Sequence, residues 1–132
     1  MVVQCNFLQS SYHTYIEDNL DSFIVYFKEL FPNVHQVFVI VDQNVFRLQK
    51  ERHETKQEEQ NDNRIQRSIF ELLECSGIHY EVILHEPGEN AKSLSTYSNI
   101  ITAIEHSKIR PDRNTPILAF GGGVTGDLTG FV

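Results

Sequence analysis

A continuous run of β-branched and aromatic residues, Val37–Val41, constrains the fold of this 132-residue chain most strongly. An apolar run without polar alternation is typical of a strand that is buried on both faces. Such strands belong to parallel sheets, in which helices cover both faces. The run therefore predicts one strand of a parallel sheet.

Helical and strand patterns alternate along the rest of the chain. Ile16–Phe31 places its large apolar residues on one helical stripe. Ile65–Leu73 restores such a stripe, and Ser76–Gly77 is expected to end that helix as a C-cap. Tyr80–Leu84 reads as a further strand, and residues 2–15 are expected to form an edge strand or a hairpin.

The remaining third of the chain continues this order. A helix is expected from about Ser95, which is a suitable N-cap, and a turn at Pro111–Asn114 leads to a strand at Pro116–Phe120. Alternating strands and helices imply βαβ crossovers. The predicted fold class is α/β, a Rossmann-like parallel sheet with helices on both faces, in one domain over residues 1–132. The stretch 49–64 has no large apolar residue and predicts a polar insertion or mobile loop.

Composition excludes several classes of partner. The formal net charge of −7 argues against binding to nucleic acid or to an anionic membrane. No apolar run approaches the length of a membrane span, and the first residues lack the pattern of a signal peptide, so we expect a cytoplasmic protein. Cys5 and Cys75 are expected to be free thiols, with Cys75 filling space in the core.

The glycine-rich turn after the last strand is the clearest functional motif. Three consecutive glycines, Gly121–Gly123, are followed by Gly126–Asp127 and the start of a helix. A strand, a glycine turn and a helix start direct backbone N–H groups and the positive end of the helix dipole at a phosphate. The spacing also matches G-x-G-x-x-G, which is weak evidence at this late position. A plain tight turn is the alternative, and we favour a phosphate cradle.

Two more polar loops, Asp42–Asn44 and Pro87–Lys92, follow predicted strands, and ligands of open α/β sheets bind beyond the carboxyl ends of strands. Asp42 could accept hydrogen bonds from a ribose or could cap the next helix. Glu89 and Lys92 could form a surface ion pair of little energetic value. The cluster of Lys92, Ser93 and Ser95 could equally cap the following helix.

The histidines form no metal-ligand spacing. His85 lies near a strand end and could reach the ligand side, but we expect it to be a surface or capping residue. No catalytic triad or Cys/His pair can be argued from the sequence. The residues alone therefore predict a binding face without a catalytic residue and without a metal ligand.

Taken together, the three loops resemble the 3-dehydroquinate synthase family. Pro87–Leu94 resembles its G-E-x-x-K-S/T-L motif, and Ile117–Phe131 resembles its G-G-G-x-x-G-D-x-x-G-F motif. Val39–Val45 is similar to the first strand of the family, which ends in D-x-N-V. The resemblance implies the NAD-binding part of a sugar-phosphate cyclase.

The activity implied by the resemblance converts 3-deoxy-arabino-heptulosonate 7-phosphate to 3-dehydroquinate in the shikimate pathway. NAD transiently oxidises a ring hydroxyl of the substrate, and phosphate is then eliminated. The ketone is reduced again, and the opened ring closes by aldol addition. A divalent metal, zinc or cobalt, is expected only in the full-length family enzyme. The motifs for substrate and metal in the family are not matched here, so we expect a chain truncated before the α-helical metal-binding domain and inactive alone. Loss of the later strands of the sheet would expose an unpaired edge, so we also expect a homodimer or a tendency to aggregate. The dimer of the family could equally be retained.

The resemblance also implies individual roles. Asp42 and Asn44 would hold the adenosine side of NAD, and Glu89 and Lys92 would approach its ribose or phosphate region. The implied cofactor-binding set is Asp42, Asn44, Gly88, Glu89, Lys92, Gly121, Gly122, Gly123, Val124, Thr125, Gly126 and Asp127. Within it, the backbone of Gly122–Val124 would cradle the pyrophosphate, and Asp127 would lie near a ribose hydroxyl.

Other functions stay open at this point. Cyclases of the 2-deoxy-scyllo-inosose and valiolone types share the glycine motif, and so, more distantly, do iron-dependent alcohol and glycerol dehydrogenases. The dehydrogenases usually continue with D-x-x-K, whereas Gly130 stands at the position of that lysine. A non-enzymatic nucleotide-binding remnant is the other alternative.

Overall fold

The computed structural model contains two sheets and describes residues 2–6, 11–17, 19–55 and 67–132. An antiparallel hairpin joins β1 (Val2–Asn6) to β2 (Ser11–Tyr15), which confirms the hairpin predicted for residues 2–15. A parallel three-stranded sheet has the order β4-β3-β5. Its strands are β3 (Gln36–Asp42), β4 (His79–His85) and β5 (Ile117–Phe120).

Five α-helices accompany the parallel sheet in the described part of the chain. Helix α1 precedes β3, two helices lie between β3 and β4, one lies between β4 and β5, and one follows β5. They are α1 (Asp21–Leu30), α2 (Gln43–Thr55), α3 (Ile69–Cys75), α4 (Leu94–Glu105) and α5 (Gly123–Phe131). A single 3₁₀ turn, Glu89–Ala91, follows β4.

The central strand β3 is buried on both faces, as predicted. Val37, Val39 and Val41 face a core formed largely by α1 and α3, with Phe27, Ile69, Phe70 and Leu73. Phe38 and Ile40 face the opposite side, with Ile83, Ala91, Ile100 from α4 and Leu128 from α5. Because successive strand residues point to opposite faces, one strand holds two helical layers together. The predicted α/β fold with helices on both faces is confirmed.

Helix α1 begins five residues later than the predicted start at Ile16. Asn19 Oδ1 accepts a hydrogen bond from the backbone N–H of Asp21 at 3.0 Å, which fixes the chain just before the first helical turn. Ile16 is half exposed, so its apolar side chain does not extend the buried stripe. The periodicity identified the helix correctly but not the residue at which it begins.

The polar stretch predicted at 49–64 is helical at its start, because α2 continues to Thr55. Gln49 is buried, and its Oε1 accepts a hydrogen bond from the backbone N–H of Ile69, the first residue of α3. Gln49 therefore belongs to the packed domain. Residues 56–66, including Ile65 of the predicted stripe, lie outside the described residues, so the insertion stays a prediction.

Two local predictions were wrong. Cys75 is an exposed free thiol at the end of α3, because Leu72 and Leu73 already fill the core beside it. Helix α4 begins at Leu94 with Ser93 as its N-cap, not Ser95, because Ser93 Oγ accepts a hydrogen bond from the Thr96 N–H at 3.2 Å.

Candidate functional site

The carboxyl ends of the three parallel strands lie at one edge of the sheet. Asp42, the last residue of β3, pairs in register with His85, the last residue of β4. Val41 pairs with Phe120, the last residue of β5. The loops that follow these strands therefore begin side by side, and this edge is where ligands of such sheets bind.

The glycine-rich turn leads directly into the open N-terminus of α5. Gly122 is the N-cap, and no side chain caps this end of the helix. The N–H groups of the first helical turn have no acceptor within a helix, so they can bind an anion, which the helix dipole also favours. A Cβ atom added at Gly122 or Gly123 would meet no atom within 4 Å. The backbone of this turn is therefore accessible to a ligand.

Lys92 joins the loop after β4 to helix α5. Its Nζ lies 2.9 Å from Glu89 Oε2 and 2.7 Å from Asp127 Oδ2. The hydrogen bond to Asp127, and then the one to Glu89, raises the pKa of the Lys92 ammonium above its usual value. Because this pKa is raised on folding, the contribution to stability is complete below the ordinary pKa of lysine and is lost as the pH rises through the raised pKa. All three groups are solvent-exposed, so the network contributes little to folding and mainly fixes one positive charge beside the open helix end.

Gly88 allows the turn that brings Glu89 and Lys92 to this edge. Its φ of +89° lies in the region that side chains disfavour. The 3₁₀ turn follows at once and buries Ala91 in the core, which anchors the otherwise exposed loop.

Asp42 caps helix α2, which is one of the two roles that the sequence left open. Its Oδ1 accepts hydrogen bonds from the N–H groups of Asn44 at 2.7 Å and Val45 at 3.4 Å. Both bonds end on the same oxygen, so Oδ2 has no such partner among the described residues. Within the described ranges, no hydrogen bond or ion pair joins Asp42 or Asn44 to Lys92 or Asp127. The first loop shares the edge with the other two but does not contact their charged groups.

His85 lies in the buried layer between the loops, and its prediction as a surface or capping residue was wrong. Only 2% of its surface is exposed. Its Nδ1 lies 2.8 Å from the carbonyl oxygen of Glu86, and its Nε2 lies 2.9 Å from Thr125 Oγ1. Along β4, Ile83 and His85 are buried and Leu84 between them is exposed. The alternation of strand faces was the sequence signal that could have identified His85 as inward-facing.

A cavity of about 530 Å³ lies beside Lys92 and Asp127. Small-molecule sites commonly have this size and combine apolar walls with a few polar groups. The cavity is lined by Lys92, Ser93, Leu94, Tyr97, Asp127, Leu128 and Phe131. Lys92 and Asp127 therefore form the charged part of the cavity wall, at the carboxyl edge of the sheet.

The described part of the chain contains no group of three or more His, Cys, Asp or Glu residues arranged to hold a metal ion. Among the same residues, no helix has the length and apolarity needed to cross a bilayer.

Comparison with known proteins gives consistent matches. Residues 82–132 match the family model of the 3-dehydroquinate synthase N-terminal region. A 3-dehydroquinate synthase from Alkaliphilus oremlandii is 48% identical over 64 residues, which are 48% of this chain. The enzyme of the same name from Clostridium tetani is 30% identical over 122 residues, or 92% of this chain. That from Brucella anthropi is 33% identical over 75 residues, or 54% of this chain.

The matched segments cover only part of these relatives. They span 16% of the Alkaliphilus protein, 27% of the Clostridium protein and 19% of the Brucella protein. The family match begins within β4 and includes the loop after β4 that carries Lys92 (the Lys92 loop), α4, β5 and α5. It leaves out only the first loop of the candidate site, with Asp42 and Asn44.

Proposed function

Residues 82–132 belong to the 3-dehydroquinate synthase N-terminal family, and from that premise we propose that the carboxyl edge of the parallel sheet binds NAD. The function proposed for the protein to which these residues contribute is a 3-dehydroquinate synthase, a lyase of the shikimate pathway. Its substrate would be 3-deoxy-arabino-heptulosonate 7-phosphate. The observation that supports the proposal most is the position of Lys92, which joins the loop after β4 to Asp127 of α5, the helix whose N-terminus has no side-chain cap.

The charges at the edge suit a dinucleotide. The pyrophosphate is anionic, and the backbone N–H groups of Gly123 and Val124 with the positive end of α5 would hold it. The Lys92 ammonium adds a full positive charge nearby. The carboxylates of Asp42 and Asp127 are acceptors that ribose hydroxyls can use. When bound, NAD supplies a reversible acceptor for hydride.

The remaining residues of the implied set have supporting roles in this proposal. Asn44 lies exposed in the first turn of α2, at the adenosine side. Gly88 sets the turn of the Lys92 loop, and Glu89 holds Lys92 in place. Gly126 leaves the exposed face of α5 free of a side chain next to Asp127.

The Gly122→Ala variant tests the phosphate cradle. Gly122 has φ −86° and ψ −163°, an extended conformation that alanine adopts, so the fold is expected to be kept. The added methyl group would occupy the space before the open N–H groups. We expect NAD binding measured by calorimetry to weaken about fivefold.

Gly130→Ala is the matched control, because its added Cβ also meets no atom within 4 Å and it lies at the far end of α5. Its NAD affinity is expected to equal that of the unmodified chain. Equal affinity in both variants would count against the cradle.

We also propose that the polypeptide of residues 1–132 binds the cofactor without completing the reaction. The relatives match it over 16% to 27% of their own length, so most of their residues have no counterpart in the aligned segments. A phosphate-release assay with the heptulosonate phosphate, NAD and zinc or cobalt is expected to give only the background rate. Metal-dependent release above background would overturn this proposal.

A further inference from the structure

We infer that His85 is a positioning residue, which fixes the first turn of α5 against the Lys92 loop through Thr125. The inference rests on the proposed function in so far as these two elements hold NAD. It also reassigns Gly121 and Thr125, which the resemblance placed in direct contact with the cofactor. In this inference, Gly121 and Thr125 support the glycine-rich turn and do not contact the cofactor.

The two hydrogen bonds of the His85 ring have defined directions. The Glu86 carbonyl oxygen can only accept, so Nδ1 carries the proton at the 2.8 Å contact. In the neutral ring Nε2 is then an acceptor, and the Thr125 hydroxyl donates to it at 2.9 Å. One imidazole tautomer therefore links the first residue of the Lys92 loop to the first turn of α5.

Burial makes this link different from the ion pairs of Lys92. His85 is 2% exposed and Thr125 is 1% exposed, so water does not replace a lost partner. Removing either group alone leaves a buried polar atom unsatisfied, which is costly. The surface ion pairs, by contrast, exchange readily with solvent. The buried hydrogen bond between His85 and Thr125 therefore sets the position of α5 relative to the Lys92 loop. The exposed ion pairs of Lys92 form between elements that this bond already holds in place.

Gly121 is required by the same arrangement. A Cβ atom added to Gly121 would overlap with Thr125 Oγ1. Only glycine leaves room for the hydroxyl to point at His85. The first glycine of the motif thus accommodates Thr125, and the next two leave the backbone open toward the ligand side.

The experiment compares Thr125→Val, which removes the hydroxyl, with Thr125→Ser, which keeps it. Thr102→Val is the control, because it makes the same change on the exposed face of α4. The first measurement needs no NAD. Imidazole nitrogen NMR of the unmodified chain is expected to show His85 as the Nδ1-protonated tautomer. Thr125→Val is expected to shift the amide signals of both Lys92 and Val124, whereas Thr125→Ser restores them.

The second measurement is the NAD affinity of the same variants, far below their melting temperatures. We expect Thr125→Val to bind NAD about fivefold more weakly, and Thr125→Ser to stay within about twofold of the unmodified chain. An Nε2-protonated ring, or Thr125→Val with unchanged affinity and unchanged Lys92 signals, would overturn the inference. If the unmodified chain does not bind NAD, the proposed function fails, and the ligand-free spectra still decide the role of His85.

Discussion

Replacing Phe38 with alanine is expected to destabilise the fold by about 3–5 kcal/mol, because a large side chain is removed from a fully packed site. Phe38 is 0% exposed and lies on the face of β3 that packs against α4 and α5. Its neighbours include Ile100 and Leu128, which belong to different helices and cannot both move in to fill the space. A domain of this kind has about 5–15 kcal/mol of total stability, so the variant should be largely unfolded at moderate urea concentration.

Urea unfolding followed by circular dichroism measures this effect. Phe131→Ala is the matched control, because the same side chain is 79% exposed at the end of α5. Its midpoint is expected to change little. Similar midpoints for the two variants would contradict the two-layer core built on β3.

Lys92→Met is expected to weaken NAD binding about 10- to 100-fold, the usual effect of losing a charged hydrogen-bonding partner. The variant removes the positive charge beside the open end of α5. It also leaves Glu89 and Asp127 as two unneutralised carboxylates at the place where an anionic pyrophosphate would bind. The loss of stability should be small, because the lysine and both carboxylates are exposed.

Lys108→Met removes the same charge from the loop after α4, at the amino end of the sheet. Calorimetry should find its NAD affinity equal to that of the unmodified chain. If the two lysine variants weaken binding equally, net charge and not the position of Lys92 determines affinity.

The sequence was most informative where the structure depends on local patterns. The run at Val37–Val41 predicted the central strand because its apolar pattern reflects burial on both faces. The glycine turn was recognisable because consecutive glycines between a strand and a helix leave the backbone free of side chains on the side of a ligand. Both features involve contiguous residues, so periodicity and residue type were sufficient.

Features that depend on contacts between distant residues were not predictable in this way. His85 and Thr125 are 40 residues apart, and each is an ordinary polar residue until the sheet brings them together. The sequence left Asp42 with two roles, and only the hydrogen bonds to Asn44 and Val45 identify it as a cap. Cys75 was misplaced because it follows Leu72 and Leu73 in the sequence, but those two residues fill the core and Cys75 lies exposed at the end of α3.

An NMR titration of the 132-residue chain with NAD tests the central claim most directly, because it locates even weak binding at single residues. The expected result is saturable movement of the amide signals of Gly122, Gly123 and Val124, together with Lys92 and Asn44, and no change at the amino edge of the sheet. Unchanged signals for these five residues at about 10 mM NAD, where even millimolar affinity would be visible, would contradict the account.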